Sequence, residues 1–325
     1  MILVTEQDII NTYSEYDRFS CKKYFEYQEL MNQNPFFGYK KCAKLLEIPQ
    51  GRVRWWHTKG SKKGKPIPLK TIDKLKQHGF LPFDSNNEHI ESILRILGTL
   101  FGDGGIDCRL NTMSFISSHK EEVELWKNDL IKIFPFAENK INIREGGEYG
   151  HSYCIRTFDR SVIRFFVALG TPVGSKVVVP YSLPKYLNSL DKKCKIAFFD
   201  GLFSSEIAIP RFVKSPYITN YFKNFSLGLS KSIELEQSHK DFFEEMQLTL
   251  KSLGIQSTGH IRKDLSLGTL RKDGIKSCMY GIFFRVNLEN IFKFHKMFPL
   301  KYSIFKKAKF DGEIAKAMEN QNTHY

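Results

Sequence analysis

The chain has 325 residues, 42% of them hydrophobic, enough to build two or three separate cores. Lysine and arginine total 49 against 35 aspartate and glutamate, a net charge of +14, and a surplus of one sign points to a polyanionic partner, nucleic acid first. Six cysteines, at 21, 42, 108, 154, 194 and 278, never fall within three residues of each other, which excludes a Cys-x-x-Cys zinc ribbon and gives no disulfide framework. Reduced thiols are therefore expected. The opening Met-Ile-Leu-Val-Thr-Glu-Gln-Asp lacks a basic segment and a long apolar one, so no leader and no membrane partner are expected. The chain reads as a free-standing cytoplasmic or nucleoid-associated protein, and as a monomer.

Residues 1–35 read as one or two helices. In Gly38–Pro49 and just beyond, Ala43, Leu46, Ile48 and Val53 have the spacing of a helix-turn-helix core, and Pro49 suits the first turn of a second helix over about 50–58. That helix carries Arg52, Arg54, Trp55, Trp56 and His57, with Lys59, Lys62, Lys63 and Lys65 behind it. Basic side chains on a second helix suit major-groove contact, so Arg52, Arg54, Lys59, Lys62 and Lys63 are DNA-binding candidates. Gly60–Pro68 reads as a wing or basic loop, followed by a helix near 69–78. The polar stretch 82–87 reads as a linker. Residues 1–85 form an expected all-α helix-turn-helix domain.

From His89 the stripe Ile90, Ile93, Leu94, Leu97 runs into Gly98-Thr99-Leu100-Phe101-Gly102-Asp103, and Gly104-Gly105 is expected to end the helix after Asp103. Strands follow at 106–109 and 112–117, a helix at 120–134, strands at 140–144 and 153–157, and a helix at 160–169. The order is αββαββα. The same plan returns at Phe198-Phe199-Asp200-Gly201-Leu202-Phe203-Ser204-Ser205-Glu206, with a constant offset: 201 − 98, 205 − 102 and 206 − 103 all equal 103. Small residues at i and i+4 share one helix face, so two such helices can cross closely and deliver Asp103 and Glu206 to one place. The second half is read as a helix over 192–205, strands at 207–212 and 225–229 with 233–236 continuing, a helix at 241–253, strands at 255–262 and 280–286, and helices at 289–298 and 302–318. Ser117-Ser118-His119-Lys120 and Gln237-Ser238-His239-Lys240 repeat at 239 − 119 = 120, so the second hairpin should carry an insertion, placed at 215–224. The halves span 86–190 and 191–325.

The Leu-Gly-x-Leu-x-Gly-Asp-Gly stretch at 97–104 resembles the motif of the LAGLIDADG homing endonucleases, and the second stretch resembles that family's second copy, where Glu often replaces Asp. The resemblance covers about residues 88–320 and includes the Leu-Gly-x-Pro-x-Gly-x-Lys turn at 169–176. It implies an α+β fold of tandem αββαββα repeats behind the helix-turn-helix domain. It also implies a site-specific double-strand DNA endonuclease that hydrolyses phosphodiesters with Mg²⁺, or Mn²⁺ in its place. Carried over by position, Asp103 and Glu206 are the metal-binding catalytic acids. His119 and His239 fall where the family has a water-orienting polar residue, and Lys176 and Lys301 match its basic residue near the scissile phosphate. The sheets would form the DNA surface, with Arg109, Lys140, Arg144 and Arg156 from the first half and Arg211, Arg262, Lys263, Arg271 and Arg285 from the second. One departure stands out: Ile207 occupies a position where the family usually has glycine, and a β-branched residue does not easily take positive φ, so whether Glu206 keeps its place, and with it cleavage of one strand, is left open. Two other readings remain open: a non-cleaving DNA-binding regulator, and a maturase that binds intron RNA.

Overall fold

The computed structural model describes residues 1–57, 64–147, 150–214, 221–263 and 269–322. It divides into two compact units, Met1–Ser85 and Asn86–Tyr325. Among the described residues no helix is long and apolar enough to cross a membrane.

The first unit is not purely helical. Strand β1 (Ile2–Val4) pairs antiparallel with β2 (Phe83–Asp84), so the β-prone Ile2-Leu3-Val4 start closes the unit onto its own end instead of opening a helix. Between them lie α1 (Glu6–Asn11), α2 (Glu15–Gln33), α3 (Tyr39–Leu46), α4 (Gln50–His57) and α5 (Ile67–Gln77). Thr5 starts α1 with a reciprocal capping box to Asp8. Ala43, Leu46, Ile48 and Val53 are buried, and Trp56 packs edge-on to Tyr24 at 5.3 Å.

The second unit repeats one plan twice. Its first half runs α6 (Ile90–Phe101), β3 (Gly105–Ile106), β4 (Met113–Ser117), α7 (Lys120–Ile133), β5 (Ile141–Gly147), β6 (Gly150–Thr157), α8 (Arg160–Ala168). Its second half runs α9 (Lys192–Glu206), β7 (Ile207–Ala208), β8 (Arg211–Val213), β9 (Tyr221–Lys223), β10 (Ser226–Ser232), α10 (Glu236–Ser252), β11 (Arg262–Lys263), β12 (Thr269–Leu270), β13 (Lys276–Phe283), α11 (Leu288–Met297), α12 (Ile304–Asn322). The first sheet is ordered β3-β4-β6-β5 and the second β7-β10-β13-β11. Apart from β12, a short fifth strand of the second sheet that also pairs with β13, both place their strands first, second, fourth, third, and the fold is α+β with a duplicated αββαββα unit. The β8–β9 ribbon is a separate two-stranded sheet inserted in the second half.

Several expected elements differ: the strand expected at 207–212 is split into β7 and β8, which lie in different sheets, and of the strand expected at 106–109 only Ile106 lies in β3. Residues 233–235 form a short 3₁₀ turn and not a strand, and α10 begins at Glu236, five residues earlier than expected. Over 255–262 only the final residue is in a named strand, because Gly254 and Gly259 take positive φ and turn the chain.

Helices α6 and α9 cross at the centre. A Cβ on Gly98 would stand 1.9 Å from the Phe198 carbonyl oxygen, and one on Gly201 would stand 1.9 Å from that of Arg95. Glycine within a helix costs about 1 kcal/mol relative to alanine. Here the cost is offset by backbone contact that no larger residue permits. Across the same crossing Arg95 Nε donates to buried Asp200 at 2.9 Å, and the Leu300 N–H donates to Asp200 at 2.6 Å.

Candidate active site

The crossing helices set the acids side by side. α6 ends at Phe101, two residues earlier than the sequence suggests: the Gly102 and Gly104 N–H groups both donate to the Thr99 carbonyl, at 3.0 and 2.8 Å. Asp103 thus projects from the turn, while Glu206 is the last residue of α9. Gly102 presses on this end, where a Cβ would lie 2.4 Å from Ser205 Cβ and 3.1 Å from Glu206 Cγ. Ile207 does not displace the acid. Its backbone is extended (φ −69°, ψ 133°), a conformation open to any residue, and its side chain is buried as it enters β7.

Electrostatics mark the pair. Burial, then repulsion from Asp103, pushes the Glu206 carboxyl up to about 7, against the pull of Lys176 and Lys306. Asp103 keeps a solvent-exposed edge, yet crowding by surrounding protein raises its carboxyl too, again opposed by Lys306 and Lys176. Burial lowers Lys176 to about 8, with both acids pulling the other way. Lys306 is lowered by the same cause. Each lysine is tethered to a motif end. Lys176 Nζ donates to the carbonyls of Leu100 (3.2 Å), Gly102 and Gly104 (2.6 Å), and Lys306 Nζ donates to that of Ser205.

A cavity of about 300 Å³ opens beside Asp103, walled by Ser117, His119, Glu122, Phe305 and Lys306. The His119 ring stacks on Phe305 with centroids 3.5 Å apart. Glu122, buried, accepts from Ser117 Oγ (2.5 Å), Ser303 Oγ (3.2 Å) and Phe305 N (3.4 Å), so a first-half carboxylate holds the start of α12.

Two expected site residues are elsewhere. His239 is buried inside α10, stacked parallel to Phe242 and edge-on to Tyr280, with Nε2 on the Leu229 carbonyl at 3.3 Å. Burial lowers it to about 4, so it is a neutral core residue. The reason is local: α10 starts at Glu236, which moves His239 from a helix start into the helix. Lys301 pairs with Asp129, and its place beside the acids is taken by Lys306.

The candidate DNA contacts also separate. Arg156 stands between Ser114 and Asn142 on the face opposite buried Phe115 and Ile155, and exposed Arg144 shares that face. Arg109 is exposed in the β3–β4 turn. Lys140 is paired with buried Asp159 at 2.9 Å. In the second half Arg262 lies beside Gly281 with its guanidinium 4.5 Å over the Phe283 ring. Lys263 is held by Glu236, and Arg271 by Asp273 at 3.2 Å. Arg211 lies on the inserted ribbon, and Arg285 lines a different cavity with Glu244 and Gln247. In the first unit Arg52 is turned onto Tyr16, and Arg54 is exposed. Lys59, Lys62 and Lys63 lie outside the described residues.

Sequence reasoning missed Lys306, Glu122, the Arg95–Asp200 pair and Tyr181. The Tyr181 ring packs edge-on to Phe101 and under the ammonium of Lys231, and its hydroxyl is raised by burial and by Glu206. An aspartate inside an apolar motif was a signal for Asp200. Lys306 stands among Lys301, Lys307 and Lys309, and spacing alone does not single it out.

No family model matches the chain. Among solved structures it is similar to a mesophilic variant of the homing endonuclease I-DmoI (TM-score 0.43, 15% identity, 69% of this chain and 100% of that one). It is also similar to I-SmaMI bound to uncleaved DNA with calcium (TM-score 0.40, 13% identity, 71% and 92%). Among curated proteins it is 26% identical over 227 residues to the RNA polymerase subunit Rpo1N of Methanocaldococcus jannaschii, covering 65% of this chain and 16% of that protein. It is 27% identical over 207 residues to the tRNA-splicing ligase RtcB of the same organism, covering 57% and 20%. The chain thus spans a fifth or less of the length of these two relatives, whose names share no activity.

Proposed function

We propose that the chain is a site-specific double-strand DNA endonuclease in which each half supplies one carboxylate. The observation that carries this reading is the meeting of Asp103 and Glu206 at the ends of two crossing helices, flanked by the tethered lysines Lys176 and Lys306. Two neighbouring carboxylates repel unless protonated or neutralised by a cation. Among the described residues no group of three His, Cys, Asp or Glu side chains is arranged to hold a metal. Mg²⁺ does not need one, since one or two carboxylates suffice when water and substrate phosphate complete the shell. Asp103 and Glu206 therefore fit Mg²⁺, or Mn²⁺, which would supply activation of water and stabilisation of the leaving oxygen in phosphodiester hydrolysis.

The chain's own groups do the rest. Lys176 and Lys306, protonated, place positive charge where a phosphate gains negative charge during hydrolysis. His119, at the cavity wall, is placed to orient a water. The outer sheet faces meet the duplex, since a two-stranded ribbon fits a major groove. Met1–Ser85 acts as a helix-turn-helix arm that contacts flanking DNA through the α4 face bearing Arg54. The test is to incubate the protein with duplex libraries and Mg²⁺ and map ends. Cuts on both strands at one sequence support the reading. Specific binding without a cut under Mg²⁺ or Mn²⁺ replaces it with a regulator, and binding to RNA alone replaces it with a maturase.

A further inference from the structure

We infer that the two sheets read chemically different half-sites: the first a guanine-containing one through arginine, the second a thymine-rich one through apolar contact. This rests on the DNA-binding reading. The outer face of the first sheet carries Ser114–Arg156–Asn142 in one cross-strand row and Arg144 in the next, with both arginines exposed. Arginine fits the O6 and N7 acceptors of guanine with two hydrogen bonds, and asparagine fits adenine.

The matching face of the second sheet carries Ser226 opposite Phe283, Gly228 opposite Gly281 and Ser230 opposite Met279, above buried Leu227, Leu229, Tyr280 and Ile282. Of these, Ser226, Leu227, Gly228, Met279, Gly281 and Phe283 line a groove of about 680 Å³ whose wall also includes Glu206. Within it the glycine pair leaves the sheet bare, and the half-exposed Met279 offers a flexible thioether. Among the described residues that line it two are basic: Arg262, exposed at the rim with its guanidinium over the Phe283 ring, and Lys263, committed to Glu236. Serine hydroxyls accept either base type. On the floor inside that rim, what discriminates bases is apolar surface, and the apolar group that bases present in the major groove is the thymine methyl. The groove's continuity with the Glu206 end of the site, in a chain of charge +14, favours DNA over an apolar protein partner.

Gly281 has a second reason to be glycine, since a Cβ there would lie 2.6 Å from the Leu227 carbonyl oxygen. The test therefore uses Met279 and Gly228, where an added Cβ meets the flexible Met279 side chain at 3.1 Å and the Tyr280 carbonyl oxygen at an ordinary 3.7 Å. Full-length protein in EDTA is used to select duplexes from a randomised library. The expected motif is asymmetric. One half prefers guanine at one or more positions by at least about fivefold, and the other prefers thymine or adenine without a guanine requirement. Arg156→Gln and Arg144→Gln should relax the guanine positions alone. Met279→Ser and Gly228→Ala should relax the A·T positions alone, at unchanged melting temperature. Guanine requirements in both halves, or Met279→Ser and Gly228→Ala leaving the motif unchanged, overturn the inference. A library from which nothing enriches overturns the DNA reading itself and this inference with it.

Discussion

The two halves of Asn86–Tyr325 share strand order and element order yet build their sides of the site from different parts. The first half tethers its motif end with Lys176, from the connector after α8, and the second uses Lys306, from α12. The first half's histidine faces a solvent cavity; the second's is locked among aromatic rings. A duplicated backbone preserves where the two motif helices cross, at Gly98 and Gly201, because close packing allows few alternatives. It does not preserve which side chain reaches a given point, since a helix that starts a few residues earlier re-aims everything after it.

The largest expected effect tests what the halves have in common. Gly98→Leu and Gly201→Leu each force a side chain into a backbone carbonyl at the crossing. Each should cost more than about 4 kcal/mol and remove the cooperative melting transition seen by circular dichroism. Equal losses would confirm a symmetric crossing; a folded Gly201→Leu chain would show that the second half can slide.

Next come the acids, where the symmetry of the site is directly at stake. Asp103→Asn and Glu206→Gln should each reduce double-strand cutting at least about a hundredfold while duplex binding persists. If Glu206→Gln leaves one strand nicked at the wild-type rate, the two acids serve separate strands.

The pH response follows. At limiting Mg²⁺, cutting should rise as pH climbs toward about 7, because protons compete with the metal for Glu206, and fall above about 8 as Lys176 loses its proton; saturating metal should shift the acid limb to lower pH. The stability change has a definite sign. Between its ordinary value of 4.5 and about 7 the folded Glu206 holds a proton that the unfolded chain has released. The metal-free protein should therefore lose stability on that account as pH rises across the window. Glu206→Gln should remove that slope in urea titrations; an unchanged slope would assign it to other groups.

The smallest effects separate the histidines. His239→Ala should destabilise by about 2 kcal/mol or more, because it empties a packed aromatic site. His119→Ala should leave the melting temperature nearly unchanged and slow cutting. The reverse pattern would exchange their roles.

Periodicity and the 103-residue offset were enough to place the crossing helices. Glycine in an apolar helix carries a penalty that only close approach explains, and the same spacing occurs twice. The order αββαββα was legible for the same kind of local reason, since turn glycines and alternating strands are written in nearest neighbours. Residues 1–85 read as all helix, and the pairing of Ile2–Val4 with Phe83–Asp84 was invisible because its partners lie about eighty residues apart. Lysine positions were just as hidden. Lys301 and Lys306 are equally basic in sequence; in the fold Lys301 is held by Asp129 and Asp200, while Lys306, on the first turn of α12 beside the residues that Glu122 binds, faces the acids. Sequence alone thus determined that two acids would arrive together on packed helices. Tertiary structure decided which cations meet them and which histidine sees water, because each depends on the residue where a helix begins and on contacts across the fold, and strand pairing decided which sheet face exposes Arg144 and Arg156.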